Sequence, residues 1–194
     1  AVKVLGSPPI RHMGTLGGNI CTASPAADTL PPLYALEAEV EIRSRTGSRR
    51  LPLREFILAP GKTALRSGEL LSRIIVPAAS RFTVHHYEKV GQRKALAISI
   101  VSMAALLRLS DSGIIEQVRL AWGSVAPMVV TSPEVEAHLS GNPLCRTLLE
   151  DALPLVHRAV SPIDDLRASA DYRRAVAGDL LFRLLTFCPP SRAC

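Results

Sequence analysis

The stretch Arg11-His12-Met13-Gly14-Thr15-Leu16-Gly17-Gly18-Asn19, running on through Ile20-Cys21-Thr22-Ala23-Ser24-Pro25-Ala26-Ala27-Asp28 to Pro32, decides how this chain is read. Residues 7–32 concentrate Gly, Ser, Thr, Asn and Pro. That density predicts a long irregular loop, which in a compact domain usually has a function. Adjacent glycines at 17 and 18 allow positive φ and a close approach of backbone to a ligand. Successive N–H groups of such a turn converge on an anion, and the Thr15 hydroxyl and Asn19 amide can bond the same ligand. The spacing is neither G-x-G-x-x-G nor a P-loop. Taken alone, a Gly-Gly pair is more often a plain turn than a ligand cradle.

Outward from this loop the pattern becomes regular. Residues 38–45 alternate, Val40 and Ile42 against Glu39, Glu41 and Arg43, as a half-buried strand does. Thr46-Gly47-Ser48 is a turn, and residues 49–53 return as the second arm of a hairpin. Residues 69–76 form a further strand closed by Pro77, and a boundary is expected at 77–81. Strands follow at 82–90 and 114–122. The apolar run 97–109 fits strand or buried helix, and the turn Ser110-Asp111-Ser112-Gly113 favours an antiparallel meander. The remainder is helical. Ser132 before Pro133 marks an N-cap, residues 144–160 carry an apolar stripe, and Tyr172, Val176, Leu180 and Leu184 recur at four-residue steps. The first five residues read as the tail of a helix, and with no initiator methionine a fragment or processed chain is expected.

Composition narrows the classes of function. The 194 residues suffice for one large domain or two small ones. No apolar run approaches the roughly 18 residues of a membrane span. The net charge of +6 is scattered, and aromatics are only 4% of the chain, so a nucleic-acid surface with stacking rings is not expected. Solvated charge or an acidic partner subunit accounts for it better. Cys21, Cys145, Cys188 and Cys194 form no C-x-x-C pair, which argues against zinc or an iron–sulfur cluster here. Cys188 and Cys194 are near enough in sequence to pair, though nothing else supports that. Such sparse cysteine fits a cytoplasmic protein. His85 and His86 would project from opposite faces of a strand and cannot share a metal ion. No G-x-S-x-G elbow suggests a nucleophile.

Five ordered segments carry a resemblance. The T-x-G-G-N of Thr15–Asn19, with A-S-P-x-x-D ending at Asp28, resembles the second FAD-binding motif of the flavoprotein subunits of molybdenum hydroxylases, the xanthine dehydrogenase and carbon monoxide dehydrogenase family. Gly68-Glu69-Leu70-Leu71 up to Pro77, Tyr87-Glu88-Lys89-Val90-Gly91-Gln92-Arg93, Trp122-Gly123-Ser124-Val125-Ala126-Pro127 and Ser169-Ala170-Asp171-Tyr172-Arg173-Arg174 are similar to later motifs of that family. The resemblance spans nearly the whole chain.

It implies an α+β fold. Residues 1–78 would be the C-terminal part of a PCMH-type FAD-binding domain, and residues 81–188 a three-stranded antiparallel sheet packed on a helical bundle. FAD is the implied cofactor. Thr15, Gly17, Gly18 and Asn19 would contact its pyrophosphate, Asp28 a polar part of the flavin side, and Leu71 its flank. Lys89 would place a cation near the ring, where it would favour reduced, anionic flavin. By default Asp28 would cap the helix starting near Thr29, Leu71 would be core, and Lys89 a solvated strand charge. Electrons would come from [2Fe–2S] clusters of a small subunit, fed by a molybdenum-cofactor large subunit. They would leave to NAD, a quinone or oxygen, and the chain would not be active alone. A flavin-free assembly piece is the alternative. The family's earlier A-G-G-T/H motif has no counterpart here, His12 stands where Asn is more usual, and no cysteine-bearing insert occurs.

Overall fold

The structure, a computed structural model, describes residues 1–78, 81–93 and 96–188. Part of the expected boundary at 77–81, and Cys194 with its suggested pairing, therefore lie outside the described residues.

The irregular loop expected over 7–32 is instead broken into short helices. A 3-10 turn at Val2–Val4 leads to α1 (Pro8–Met13), α2 (Leu16–Thr22) and α3 (Leu30–Ala35). Ser7 starts α1 by accepting from the Ile10 N–H, and prolines at its front sacrifice only N–H groups that a helix leaves unpaired anyway. The composition that suggested a loop is largely that of caps and first turns.

The hairpin is as expected: β1 (Glu39–Arg43) and β2 (Ser48–Pro52) flank the Thr46–Gly47 turn. Then come α4 (Leu53–Phe56), the small pair β3 (Ile57–Ala59) and β4 (Lys62–Thr63), and β5 (Leu70–Ile75). The sheet runs β2-β1-β5, antiparallel throughout, with Val40 opposite both Leu51 and Ile74. Val40 and Ile42 are buried with Ile20, Leu30, Leu53 and Phe56, so one face of this sheet seats the short helices. Glu41, expected to face water, is only 7% exposed. It pairs with Arg50 and Arg73 and accepts from Ser72, and these neighbours close over the second face.

The second half is a meander, β6 (Val84–Val90), β7 (Val101–Leu109) and β8 (Ile115–Gly123). The open choice at 97–109 resolves as strand, starting four residues late. The helices α5 (Pro133–Leu139), α6 (Arg146–Ala159) and α7 (Ala170–Asp179) cover one face of this sheet. Beyond α7 the four-residue stripe tightens into a 3-10 segment, Leu180–Phe187; Leu180 and Leu184 are buried while Tyr172 is 48% exposed. Trp122 is fully buried, and its Nε1 donates to Ala177 O at 3.0 Å, fixing α7 against β8. Arg173, 5% exposed, donates to Ile100 O, Ser124 O and Asp165.

The two halves join where their motifs meet. Gly123 passes so close to α3 that a Cβ there would lie 2.8 Å from Pro31 Cγ and 2.6 Å from Ser102 Oγ. The next residue, Ser124, takes the left-handed conformation (φ 64) and donates its N–H to Pro25 O at 3.0 Å. The glycine of the Trp122–Pro127 motif is therefore required by close approach to the Ser24–Pro32 segment.

Candidate functional site

The site is organised by α2. Thr15 precedes it in extended conformation, and its Oγ1 accepts from the Gly18 N–H at 2.9 Å. Such a cap contributes about 1 kcal/mol and leaves the earlier N–H groups, those of Leu16 and Gly17, without intrahelical partners. Gly17 and Gly18 were expected to form a turn with positive φ. They are helical instead, and neither takes positive φ.

For Gly18 the glycine identity has a different cause. A Cβ on Gly18 would sit 3.0 Å from Thr15 Oγ1, against the cap itself. A Cβ on Gly17 would meet only Leu71 Cδ2, at 3.6 Å, an ordinary contact. Leu71 is thus a half-buried strand residue behind the glycine helix.

Beside α2 opens a cleft of about 560 Å³, within the range usual for small-molecule sites. Thr15, Gly18, Asn19, Thr22 and Thr29 supply polar groups to its wall, and Val2, Leu5, Ile10 and Leu16 an apolar side. Arg11 also reaches it, with its guanidinium held on Leu5 O (2.9 Å) and Gly6 O (3.0 Å). Of the residues expected from the sequence, Thr15, Gly18 and Asn19 line this cleft, and Gly17, Asp28, Leu71 and Lys89 do not.

Asp28 and Lys89 behave differently from their expected defaults. Asp28 caps no helix. Its Oδ2 accepts from Lys89 Nζ at 2.6 Å and its Oδ1 from the Tyr87 hydroxyl at 3.2 Å. Tyr87 and Lys89 lie two apart on β6, so they share a face and grip one carboxylate together. Burial and the neighbouring Asp28 push the Tyr87 phenol well up, which keeps it a neutral donor. Lys89 is not solvated: its side chain is 7% exposed, and Nζ also donates to Val4 O at 3.4 Å, tying β6 to the cleft's rim.

The sequence reading missed Thr29, Tyr87 and the apolar wall. For Thr29 a signal existed. It precedes Leu30-Pro31-Pro32, a helix start whose prolines have no N–H for a capping hydroxyl to accept. The apolar wall carries no motif.

A second cavity, of about 400 Å³, is lined by Ser24–Ala26, Ser99, Ser124, Asp165 and Arg173 among others. Ser99 Oγ, Ser124 Oγ and Arg173 Nε are buried there with no hydrogen-bond partner among the described residues. No cluster of His, Cys, Asp and Glu suited to a metal ion occurs among the described residues. Nor is any helix among them long and apolar enough to cross a membrane.

The chain is similar to known proteins over nearly its whole length. Residues 1–79 match the FAD binding domain in molybdopterin dehydrogenase, and residues 85–187 match the CO dehydrogenase flavoprotein C-terminal domain. The chain is 34% identical over 175 residues to the xanthine dehydrogenase FAD-binding subunit of Escherichia coli O157:H7, covering 89% of this chain and 59% of that protein. It is 29% identical over 177 residues to the nicotinate dehydrogenase FAD-subunit of Eubacterium barkeri, covering 90% and 60%. Among solved structures, carbon monoxide dehydrogenase from Hydrogenophaga pseudoflava superposes with a TM-score of 0.88 at 30% identity, over 95% of this chain and 63% of that one. The chain therefore spans about 60% of the length of these two curated relatives.

Proposed function

Since the chain belongs to the family of FAD-binding subunits of molybdenum hydroxylases, through the domains it shares with the CO dehydrogenase flavoprotein, we propose that it holds FAD for electron transfer within such a complex. Electrons would arrive from [2Fe–2S] clusters of one partner subunit, fed by the molybdenum-cofactor subunit, and leave to NAD, a quinone or oxygen. The observation that carries this reading is the cleft beside α2. There a capped glycine helix, the Asn19 amide and the Arg11 guanidinium face an apolar wall. That combination suits a ligand with phosphoryl groups and a flat apolar portion.

The residues present fit the cofactor. Gly18 lines the cleft with no side chain to narrow it, and Thr15 caps the helix that carries it. Thr22 is occupied within the helix, its Oγ1 donating to Gly18 O at 2.9 Å. Lys89 and Asp28 neutralise each other outside the cleft lining, so they would set a fixed dipole near the flavin and no bare cation. When bound, FAD supplies the electron-transfer chemistry, and the protein's part is to bind, orient and shield it. No side chain here is needed as acid, base or nucleophile.

The rim supports assembly. Val2, Val4, Ile10, Met13 and Leu16 are all between 47% and 86% exposed. An apolar rim of this kind is usually covered by further protein. The second cavity offers an acceptor two buried hydroxyls and a guanidinium N–H beside residues 24–26. Titration of FAD with the chain, followed by flavin fluorescence, tests the cofactor assignment. Saturable binding that Asn19→Asp weakens at least about tenfold (about 1.4 kcal/mol) is expected. Equal response of parent and variant would defeat it.

A further inference from the structure

Among the described helices, Ser7, Thr15, Ser132 and Ser169 each precede a helix and accept a backbone N–H through the side chain. Thr29 holds the same place before α3 and makes no such bond. The sequence explains why. A capping hydroxyl accepts from the second or third helical N–H, and in α3 those positions are Pro31 and Pro32, which have none. Its hydroxyl is thereby released, although Thr29 is only 4% exposed. It donates to Asn19 Oδ1 at 2.5 Å.

We infer that Thr29 is a positioning residue that fixes the Asn19 amide with its NH2 group toward the cleft, making that wall specific for phosphoryl oxygen. The assignment rests on the reading of the cleft as a FAD site. A side-chain amide has an accepting end and a donating end of nearly the same shape. Left to rotate, it would greet a donor or an acceptor equally. With Oδ1 engaged by Thr29, the groups left over are the two N–H donors of Nδ2, for which no acceptor is seen among the described residues. They suit an anionic oxygen and offer no acceptor to a ligand N–H. Both residues line the cleft.

The backbone at Thr29 is held from the other half of the molecule. Its neighbour Asp28 is gripped by Tyr87 and Lys89 from β6, so the hydroxyl reaches Asn19 from a fixed base. Tyr87 and Lys89 thus act on the cleft through Asp28 and Thr29.

The test compares Thr29→Val, which keeps shape and loses the hydroxyl, with Thr29→Ser, which keeps the hydroxyl. FAD and riboflavin are titrated against the full chain and both variants. Thr29→Val is expected to weaken FAD about tenfold (about 1.4 kcal/mol) and leave riboflavin, which has no phosphate, unchanged. Thr29→Ser should return FAD to within about twofold. Unaltered FAD affinity in Thr29→Val, or equal losses of FAD and riboflavin, would overturn the assignment; the second result would make Thr29 merely structural. If the parent chain bound no FAD, the cofactor reading would fall, and a ligand-free measurement would decide the bond itself. Melting temperatures of Thr29→Val, Asn19→Ala and the double variant should be non-additive, as bonded neighbours are. Additive shifts would refute the bond.

Discussion

Lys89 Nζ lies 2.6 Å from Asp28 Oδ2, with the two side chains only 7% and 9% exposed. This pair joins β6 to the segment leading into α3 and brings together residues 61 apart in sequence. Breaking such a pair leaves one buried charge uncompensated, which costs about 3–5 kcal/mol. Lys89→Met should therefore lower the urea midpoint sharply, and Asp28→Leu in the same chain should restore much of the loss. Two independent, additive losses would mean that each residue is held by other partners.

The two glycines of α2 should respond in opposite directions. Gly17→Ala adds a methyl in ordinary contact with Leu71, and helix propensity favours alanine by up to about 1 kcal/mol. That variant should melt at or above the parent and, its methyl pointing at Leu71 and away from the cleft lining, bind FAD about as well. Gly18→Ala presses on Thr15 Oγ1 and should cost about 1 kcal/mol, the worth of the cap. Thermal melts of both variants check the signs. Equal destabilisation would contradict the assigned helix.

Acid should weaken the fold through two carboxylates. The Arg49 guanidinium, with the Arg66 N–H, holds Glu69 at about 2 against its ordinary 4.5. Backbone N–H bonds from Arg167 and Ala168, together with Arg173, hold Asp165 at about 2 against 3.8. Both groups are ionised more readily folded than unfolded, so their contribution is complete above those ordinary values. It is lost as pH falls through about 2. The contribution of these two groups should be level from neutrality to just above pH 4.5 and then decline. Glu69→Gln should flatten part of that decline in urea titrations across this range. An unchanged acid limb would remove Glu69 from the explanation.

Arg173 should matter for folding more than its place in the Ser169–Arg174 motif suggests. It is buried and feeds two carbonyls and Asp165. Arg173→Met should cost about 3–5 kcal/mol, because Asp165 loses its buried partner and two carbonyls lose their donor. A loss under about 1 kcal/mol in chemical denaturation, the level of an exposed pair, would show that those groups find other donors.

Much of the architecture was legible because strands declare themselves locally. Val40 and Ile42 alternate with charges, and the Thr46–Gly47 turn fixes the hairpin register. The meander from Val84 to Gly123 was marked by the Ser110–Gly113 turn. The glycine helix was not legible, since Gly-Gly disfavours helix, and the Thr15 cap and the burial of Ile20 together offset that preference here. Glu41 was misjudged because its burial depends on Arg50, Ser72 and Arg73, two of them on a strand some thirty residues on. The default reading of Lys89 as a solvated strand charge fails for the same reason: its partner, Asp28, is distant in sequence. Residues whose role is to hold another residue leave no periodic trace, and Thr29 was readable only through the prolines after it.

The location of the cofactor site is tested most directly by NMR titration of the isotope-labelled chain with FAD. At ~1 mM ligand even binding worth about 4 kcal/mol is visible. We expect shift changes in Arg11, Thr15, Gly17, Gly18, Asn19 and Thr29, with smaller ones at Leu71 and Lys89. Asn19→Asp, which sets a carboxylate against the phosphates, should abolish them. Shifts centred elsewhere on the chain, or a pattern the same in Asn19→Asp as in the parent, would contradict the assignment of this cleft to FAD.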